Sequence, residues 1–234
     1  MTPDANPDAP AKAKPDGRPG DQRLTKGQRT RERLLEEALR LFAERGYAGV
    51  GIREVATAAQ TNIASIAFHF SGKDGLYQAV VTRVAEELAR LHQAALDTAA
   101  ARPDGGITPA QRAGEVVAAL VAALLASNRS RWMSLLLQRE FITPTASFAI
   151  IYDQAINPTL EALADLVARA RGLAPSALDG KALAFSLFIM ASAFSRNKNT
   201  FLHFAQAPAY AAGDAATIGR ALADFVARGL SSSE

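Results

Sequence analysis

The chain contains 234 residues, of which 49% are hydrophobic, and it carries a formal net charge of +3 with no cysteine. The lack of cysteine excludes disulfides, thiolate metal sites and cysteine nucleophiles, and it is compatible with a cytoplasmic protein. The longest unbroken apolar run, residues 116–126, has about half the length that a bilayer span requires. The amino terminus also lacks the apolar segment of a signal peptide. We therefore expect a soluble protein that is not exported.

Composition changes sharply after the first 24 residues, which hold five of the eleven prolines. Such a segment cannot bury enough apolar surface to offset its ordering entropy, so residues 1–24 are predicted to be a disordered tail. Beyond it, frequent alanine and the lack of strand-type alternation predict an all-α fold. Residues 18–33 contain six Lys/Arg against two acidic residues, a local net charge of +4. Alone, this stretch is explained equally well as a solvated lead-in or as a segment that attracts phosphate.

A first helix is predicted over residues 30–44, with Thr30 as its amino-terminal cap and Gly46 as its stop signal. Its apolar positions recur at helical spacing and predict the buried stripe Leu34, Ala38, Leu41 and Phe42.

Residues 51–70 predict two short helices joined by a tight turn. In the first segment the residues at helical spacing are Ile52, Val55, Ala56 and Ala59. The second segment begins at Asn62, whose side chain can accept a backbone N–H left unpaired in the first turn. Its apolar stripe consists of Ile63, Ile66 and Phe70. Two short helices around so tight a turn form a helix-turn-helix, whose second helix enters the DNA major groove. Beside such a unit, phosphate attraction becomes the favoured interpretation of the basic stretch.

The remainder of the chain predicts further helices. A long helix is predicted over residues 73–100, and the sequence Arg-Pro-Asp-Gly-Gly from residue 102 is a clear break. Pro158 is expected to kink the helix that contains it or to lie near its start, because proline cannot donate the usual backbone bond. The later helices are predicted at residues 108–127, 130–141, 146–170, 176–196 and 214–229.

The sequence TRERLLEEALRLFAERGYAGVGIREVATAAQTNIASIAFHFSGKDGLYQAVV, residues 30–81, resembles the DNA-binding domain of the TetR family of bacterial transcriptional regulators. The elements LFAERGY, IREVA, a capped short helix, HF and KDGLY agree with that family in order. More weakly, REFITPTASF and SRNKNTFLHF are similar to the CecR-like (YbiH-type) carboxy-terminal domain of some TetR regulators. The resemblance implies a DNA-binding domain at residues 25–88, with its helix-turn-helix at 51–70, and a ligand-binding and dimerisation domain at 89–234.

The resemblance also implies roles for individual residues. Lys73, His69 and Arg53 match phosphate-contacting positions, and residues of the second short helix face the groove or its backbone in relatives. The full set of predicted DNA contacts is Thr30, Arg31, Arg53, Asn62, Ile63, Ala64, Ser65, Ala67, Phe68, His69 and Lys73. Two alternatives remain open: Ile63 is instead a packing residue, and His69 is instead a satisfied, half-buried histidine.

The turn of the helix-turn-helix departs from the family pattern. Gln60 and Thr61 stand where relatives usually have glycine followed by an apolar residue. A non-glycine residue in a left-handed turn costs roughly 1 kcal/mol. Gly51 also replaces the usual Ser/Thr at the start of the first short helix, and glycine has no hydroxyl to offer a phosphate. These changes bear on affinity and operator sequence more than on function.

TetR relatives are homodimers whose central helices enclose a small-molecule pocket. The predicted pocket residues are Trp132, Met133, Leu136, Arg139, Glu140, Phe141, Phe148, Tyr152, Phe185, Phe188 and Ile189. The alternative is that the aromatic side chains are ordinary core, and that Arg139 and Glu140 pair on a surface or cap the loop before Pro144. The predicted dimer residues are Leu183, Leu187, Met190, Phe194, Ile218, Leu222, Phe225 and Val226. These stripes could instead meet each other inside one subunit.

Catalysis has little support in the sequence. The three histidines lie far apart, without metal-ligand spacing, and no nucleophile elbow, P-loop or dinucleotide fingerprint is present. We therefore expect no enzyme activity, no cofactor and no metal. The resemblance favours a homodimeric repressor that binds a palindromic operator in double-stranded DNA and is released by a small-molecule effector. The alternatives are a helical ligand-binding or scaffold protein with weakened DNA binding, and an enzyme that uses the central cavity.

Overall fold

The computed structural model describes residues 25–103, 105–127, 131–174 and 176–231, and the predicted disordered tail lies outside these ranges. Within them, the regular structure is entirely helical, which confirms the predicted all-α fold. The helices are α1 (Lys26–Arg45), α2 (Ile52–Ala58), α3 (Ile63–Phe70), α4 (Lys73–Ala100), α5 (Pro109–Ala126), α6 (Arg131–Ile142), α7 (Phe148–Ile151), α8 (Asn157–Arg171), α9 (Leu178–Arg196), α10 (Lys198–Phe204) and α11 (Asp214–Ser231).

The first helix begins earlier than predicted because Thr25, not Thr30, is its cap. The Thr25 hydroxyl accepts the backbone N–H of Gln28, and the Gln28 side chain accepts the Thr25 N–H, which makes a capping box. Thr30 lies inside α1, where its hydroxyl donates to the Lys26 carbonyl. The predicted stop is confirmed: Gly46 has φ of 74° and its N–H donates to the Phe42 carbonyl.

The amino-terminal head consists of α1 to α3 and the first half of α4 around one small core. Phe42 of α1 meets Tyr77 of α4 edge to face, with ring centroids 4.9 Å apart. Ile66 and Phe70 of α3 are buried against these helices, as their spacing predicted. The core therefore fixes which face of α3 is left outside.

The turn between α2 and α3 adopts the strained geometry that the sequence predicted. Gln60 has φ of 51°, in the left-handed region that favours glycine. The Gln60 N–H donates to the Thr57 carbonyl, and the Thr61 N–H donates to the Ala56 carbonyl. These bonds close the turn and hold Gln60 in its unfavourable conformation.

The carboxy-terminal bundle is built around α5, which is packed against α4, α8, α9 and α11. Both α5 and α9 are long and apolar enough to cross a membrane. The position of α5 accounts for its apolar surface, because four helices surround it. The backbones of α5 and α11 approach closely at Gly114, where a Cβ atom would lie 2.6 Å from the Ala223 carbonyl oxygen. Only glycine fits at that contact.

The single helix predicted over residues 146–170 is wrong, because the structure divides it. A π-helical turn, Tyr152–Ile156, separates α7 from α8. Pro158 lies in the first turn of α8, where no backbone N–H is needed. The carbonyl of Ala155 in the π-turn lies 2.8 Å from His92 Nδ1 of α4, which must donate because a carbonyl can only accept. The short helix α10 was also not predicted from the sequence.

We predict that Gln60→Gly raises the free energy of unfolding by about 1 kcal/mol, because glycine adopts the left-handed conformation without a Cβ clash. For a chain of this length the melting temperature should rise by about 2–4 °C. Urea and thermal unfolding measure both quantities. The control is Gln78→Gly in the exposed middle of α4, which should destabilise by about 1 kcal/mol. Changes of the same sign in both variants would contradict the strain assigned to the turn.

Candidate nucleic-acid interface and adjoining pocket

The exposed face of α3 is set by a cap at one end and two buried anchors. Asn62 Oδ1 accepts the Ala64 N–H at 2.9 Å, which confirms the predicted cap. With Ile66 and Phe70 buried, the side chain of Phe68 is 84% exposed and that of Ile63 is 39% exposed. The other predicted groove residues on the exposed side are Ala64 and Ala67.

Ser65 is half-buried, and its hydroxyl lies 3.2 Å from that of Thr61 in the turn. Either oxygen can donate in this pair. The two hydroxyls therefore link α3 to the turn before it, and Ser65 has hydrogen-bonding capacity left for a second partner because a hydroxyl also has two acceptor sites.

Basic side chains lie on α3 and on the helices packed against it. Lys73 Nζ lies 4.4 Å from the centre of the Tyr47 ring, and the Arg31 guanidinium lies 5.3 Å from that of Phe70. Arg53 is exposed on α2, and His69 is half-buried between the rings of Phe68 and Phe70.

Charge pairing distinguishes these cations. Arg31 has a carboxylate partner, because its guanidinium lies 3.6 Å from Glu32. Within the described ranges, no carboxylate lies within 4.0 Å of the charged nitrogens of Arg53 or Lys73. These two charges are therefore available to phosphate. Thr30 is half-buried inside α1 and already bonds the Lys26 carbonyl.

A cavity of about 60 Å³ lies between α4, α5, α6 and α9. Two of the predicted pocket residues, Phe141 and Phe188, line it. The complete lining consists of Leu88, His92, Leu124, Ser134, Leu137, Gln138, Phe141, Phe188, Ser192, Ser195 and Arg196.

A wider groove of about 770 Å³ adjoins this cavity. The two share the five residues Leu124, Ser134, Gln138, Ser195 and Arg196.

The structure places the other predicted pocket residues elsewhere. Leu136 is buried in the core, and Trp132 stacks under the guanidinium of Arg131 at 4.1 Å. Met133 faces a surface groove beside α1 and α4. The remaining predicted residues that do not line the cavity are Phe148, Tyr152, Phe185 and Ile189.

Arg139 and Glu140 were also predicted to anchor a ligand, but the structure turns both toward the head. Glu140 is 1% exposed and accepts the Tyr77 hydroxyl at 2.5 Å. Its carboxylate also accepts the N–H and hydroxyl of Thr145, at 3.1 and 2.9 Å. Glu140 thus holds the loop that contains Pro144, as the alternative interpretation proposed.

Arg139 contacts the end of α1. Its Nε donates to the Ala43 carbonyl at 2.6 Å, and its Nη2 donates to the Glu44 carbonyl. These carbonyls are unpaired at a helix carboxy terminus, where a cation is also favoured by the helix dipole. Adjacent residues of α6 therefore bind α1 and α4, two of the helices that pack against α3.

Tyr77 remains a hydrogen-bond donor at every ordinary pH. Burial, and then the hydrogen bond to Glu140, raise the pKa of its hydroxyl well above the usual value for tyrosine. The proton of this hydrogen bond therefore stays on the Tyr77 hydroxyl, and the Glu140 side chain is the acceptor.

The predicted dimer residues divide into two groups. Leu187 and Val226 are buried inside the subunit, as the alternative interpretation held. Phe225 of α11 is 60% exposed and Leu183 of α9 is 37% exposed. The half-buried members are Met190, Phe194, Ile218 and Leu222.

No group of three or more His, Asp or Glu side chains in the described part of the chain could hold a metal ion. Several cavity residues on α4 and α9 were not predicted from the sequence. His92 and Ser192 carried a signal that could have found them, since each is a polar residue within an apolar helical stripe.

Comparisons with known proteins agree with this geometry. Residues 34–80 match the family model described as "Bacterial regulatory proteins, tetR family". Residues 109–231, more than half of the chain, match "HTH-type transcriptional dual regulator CecR, C-terminal domain". The chain belongs to the TetR family, with a CecR-type carboxy-terminal domain. It is therefore a transcriptional regulator with a helix-turn-helix, and not an enzyme.

Among relatives of this TetR-family chain, the HTH-type transcriptional dual regulator CecR of Shigella flexneri is 29% identical over 174 residues. The match covers 69% of this chain and 78% of the relative.

Solved structures of other regulators share the fold. A TetR-like transcriptional regulator from Rhodococcus sp. RHA1 has a TM-score of 0.57 and 18% identity, covering 90% of this chain and all of that one. AibR in complex with isovaleryl coenzyme A and operator DNA has a TM-score of 0.51 and 17% identity, covering 84% and 97%.

We predict that Glu140 and Tyr77 are energetically coupled. Removing Glu140 leaves the Tyr77 hydroxyl buried without an acceptor, so Glu140→Ala should destabilise by about 2–3 kcal/mol. A double-mutant cycle with Tyr77→Phe, measured by urea unfolding, should give a coupling energy of about 1.5–3 kcal/mol.

The matched control is the exposed bond from the Tyr47 hydroxyl to Asp74. A cycle of Tyr47→Phe with Asp74→Ala should give a coupling below about 1 kcal/mol, because water replaces the missing partner. Equal coupling in the two cycles would rule out the structural role assigned to Glu140.

Proposed function

We propose that this TetR-family regulator is a cytoplasmic homodimer that represses transcription from a palindromic operator and is released by a small-molecule effector. The observation that carries the proposal is the outer face of α3. Phe68 is 84% exposed there, and the helices packed against α3 carry Arg53 and Lys73, whose charges have no carboxylate partner among the described residues. An exposed apolar side chain on α3, with cations on the adjoining helices, suits a major groove that is edged by phosphates.

Base recognition rests on short and apolar side chains, because α3 carries no Arg, Lys or Gln. Ile63, Ala64 and Phe68 would contact thymine methyl groups, and Ser65 would hydrogen-bond a base edge. Sequence-dependent DNA shape supplies the rest of the specificity. The remaining proposed contacts, to the backbone or groove wall, are Thr30, Arg31, Arg53, Asn62, Ala67, His69 and Lys73.

Dimerisation would use α9 and α11. Exposed Leu183 and Phe225 extend the half-buried side chains Met190, Ile218 and Leu222, and a twofold axis along this face would bury them all. The two copies of α3 would then lie about 34–36 Å apart, one turn of DNA.

Release by an effector would act through α6. One side of α6 contributes Leu137 and Phe141 to the cavity, and Arg139 and Glu140 hold α1 and α4. An occupant that displaces α6 would therefore change the position of the head. Such an occupant can release DNA only to the extent that it binds the released conformer more tightly than the DNA-binding conformer.

The alternative function is a helical small-molecule-binding or scaffold protein with weakened DNA binding. It is favoured by the short side chains of α3 and by the strained Gln60. A gel shift with DNA from the region upstream of the protein's own gene separates the two functions, since only the regulator retards that duplex.

We predict that Lys73→Ala weakens DNA binding about tenfold at low salt across unrelated duplexes, because a lysine–phosphate contact is independent of sequence. The plot of log affinity against log salt should flatten by about 0.9, the slope that one lysine–phosphate pair contributes on duplex DNA. Fluorescence anisotropy at several salt concentrations measures both effects. The control is Lys181→Ala, at an exposed position of α9, which should change neither the affinity at low salt nor the salt slope. An unaltered slope in Lys73→Ala would remove this residue from the contact surface.

We predict that Phe225→Glu converts the dimer into a monomer, because the interface would have to bury an unpaired charge. Light scattering after size-exclusion chromatography measures the mass, and anisotropy should show loss of tight DNA binding in the same sample. Phe204→Glu on α10 should remain a dimer, because Phe204 is 84% exposed, more than the 60% of Phe225, and lies outside the proposed interface. A dimeric Phe225→Glu variant would argue against the α9–α11 interface.

A further inference from the structure

The cavity and the groove beside it differ in chemistry. The surface of the inner cavity is mainly apolar and comes from Leu88, Leu124, Leu137, Phe141 and Phe188. Hydroxyl, amide and cationic groups line the outer groove together with Leu124, Leu125 and Leu135. By volume, the inner cavity has room for about four to six atoms of the size of water. A ligand that fits both parts has a short apolar end and a polar end.

The polar end of that ligand should be anionic. Arg131, Arg196 and Lys198 line the groove, and none of the described residues that line the cavity or the groove is acidic. In the described part of the chain, no carboxylate lies within 4.0 Å of the charged nitrogens of these three residues. Among the described residues, the site therefore has three positive charges and no counter-charge.

Arg196 lies at the junction between the two parts. It lines both, and its guanidinium lies 5.5 Å from the centre of the Phe141 ring, which is part of the apolar wall. Ser134, Gln138 and Ser195 also line both parts. An anion at this junction would meet a guanidinium fork together with neighbouring hydroxyl and amide groups.

The carboxy-terminal dipole of α9 offers another reason for a cation here, because Arg196 is the last residue of that helix. The dipole does not account for Arg131, which is at the start of α6, where a cation is unfavourable. It also does not account for the apolar cavity directly below Arg196. The combination of the two features points to a ligand.

We propose that the effector site binds a small organic carboxylate, with its carboxylate at Arg196 and its apolar end in the cavity between α4, α5, α6 and α9. This inference rests on the effector pocket of the proposed function and names the chemical class that it takes. A bidentate pair with the guanidinium fixes the head of the ligand. Burial of a chain of about four to six heavy atoms against Leu88, Leu137 and Phe188 adds the hydrophobic contribution.

The test uses the full-length protein and needs no DNA. Hexanoate, hexanol, hexylamine and acetate are titrated separately, with isothermal calorimetry and the fluorescence of the single tryptophan, Trp132 of α6, as readouts. Hexanoate should bind at least tenfold more tightly than hexanol or hexylamine, because only it pairs with Arg196. It should also exceed acetate by at least tenfold, because acetate leaves the cavity empty.

Two substitutions at Arg196 test the assigned contact. Arg196→Gln should lower hexanoate affinity about tenfold or more and remove the preference over hexanol, and Arg196→Lys should retain part of that preference. The control is Arg169→Gln, which removes an exposed arginine paired with Asp165 on α8 and should leave binding unchanged. Circular dichroism checks that each variant is folded.

The outcomes separate this inference from the proposed function. Equal affinity for hexanoate and hexanol, equal affinity for hexanoate and acetate, or unchanged binding in Arg196→Gln would each overturn the inference. Protein that retards its upstream DNA but does not bind hexanoate overturns the inference alone. Protein that binds hexanoate through Arg196 but retards no duplex overturns the proposed regulator and leaves the ligand assignment in place.

Discussion

The buried carboxylate of Glu140 is the contact on which the relation between the head and the bundle depends. It accepts the Tyr77 hydroxyl from α4 and two donors from Thr145, while its neighbour Arg139 binds the carbonyls at the end of α1. A buried charge of this kind is tolerated only when its acceptor sites are satisfied, so these partners must stay in place together. One turn of α6 thereby fixes α1 and α4, which pack against α3, and residues of the same helix line the cavity.

Local signals in the sequence predicted the head well. Asn62 as a cap, Gly46 as a stop and the apolar spacing of Ile66 and Phe70 each act within a few residues, and the structure confirms all of them. The left-handed turn at Gln60 was also predicted, from its position in the family pattern. The predicted start of α1 was wrong because Thr25 and Thr30 are both good cap residues. Only Thr25 has a glutamine three residues later, Gln28, that completes a capping box.

The pocket could not be predicted in the same way, because its chemistry depends on partners distant in sequence. Glu140 accepts a hydrogen bond from Tyr77, which lies 63 residues away in sequence. Arg139 donates one to the carbonyl of Ala43, which lies 96 residues away. In the sequence, Arg139 and Glu140 are polar residues among aromatic ones. That pattern fits a ligand-binding residue and a structural contact equally well. The π-turn before Pro158 was likewise not predicted, because no side-chain cap or glycine marks its start in the sequence.

The close approach at Gly114 has a mechanical consequence. With backbone atoms of α5 and α11 already in contact there, α11 cannot slide or roll against α5 without a steric clash. We therefore expect α5 and α11 to move as one rigid body. A large displacement in the subunit is therefore expected at another interface of α5, such as that with α4, and not between α5 and α11.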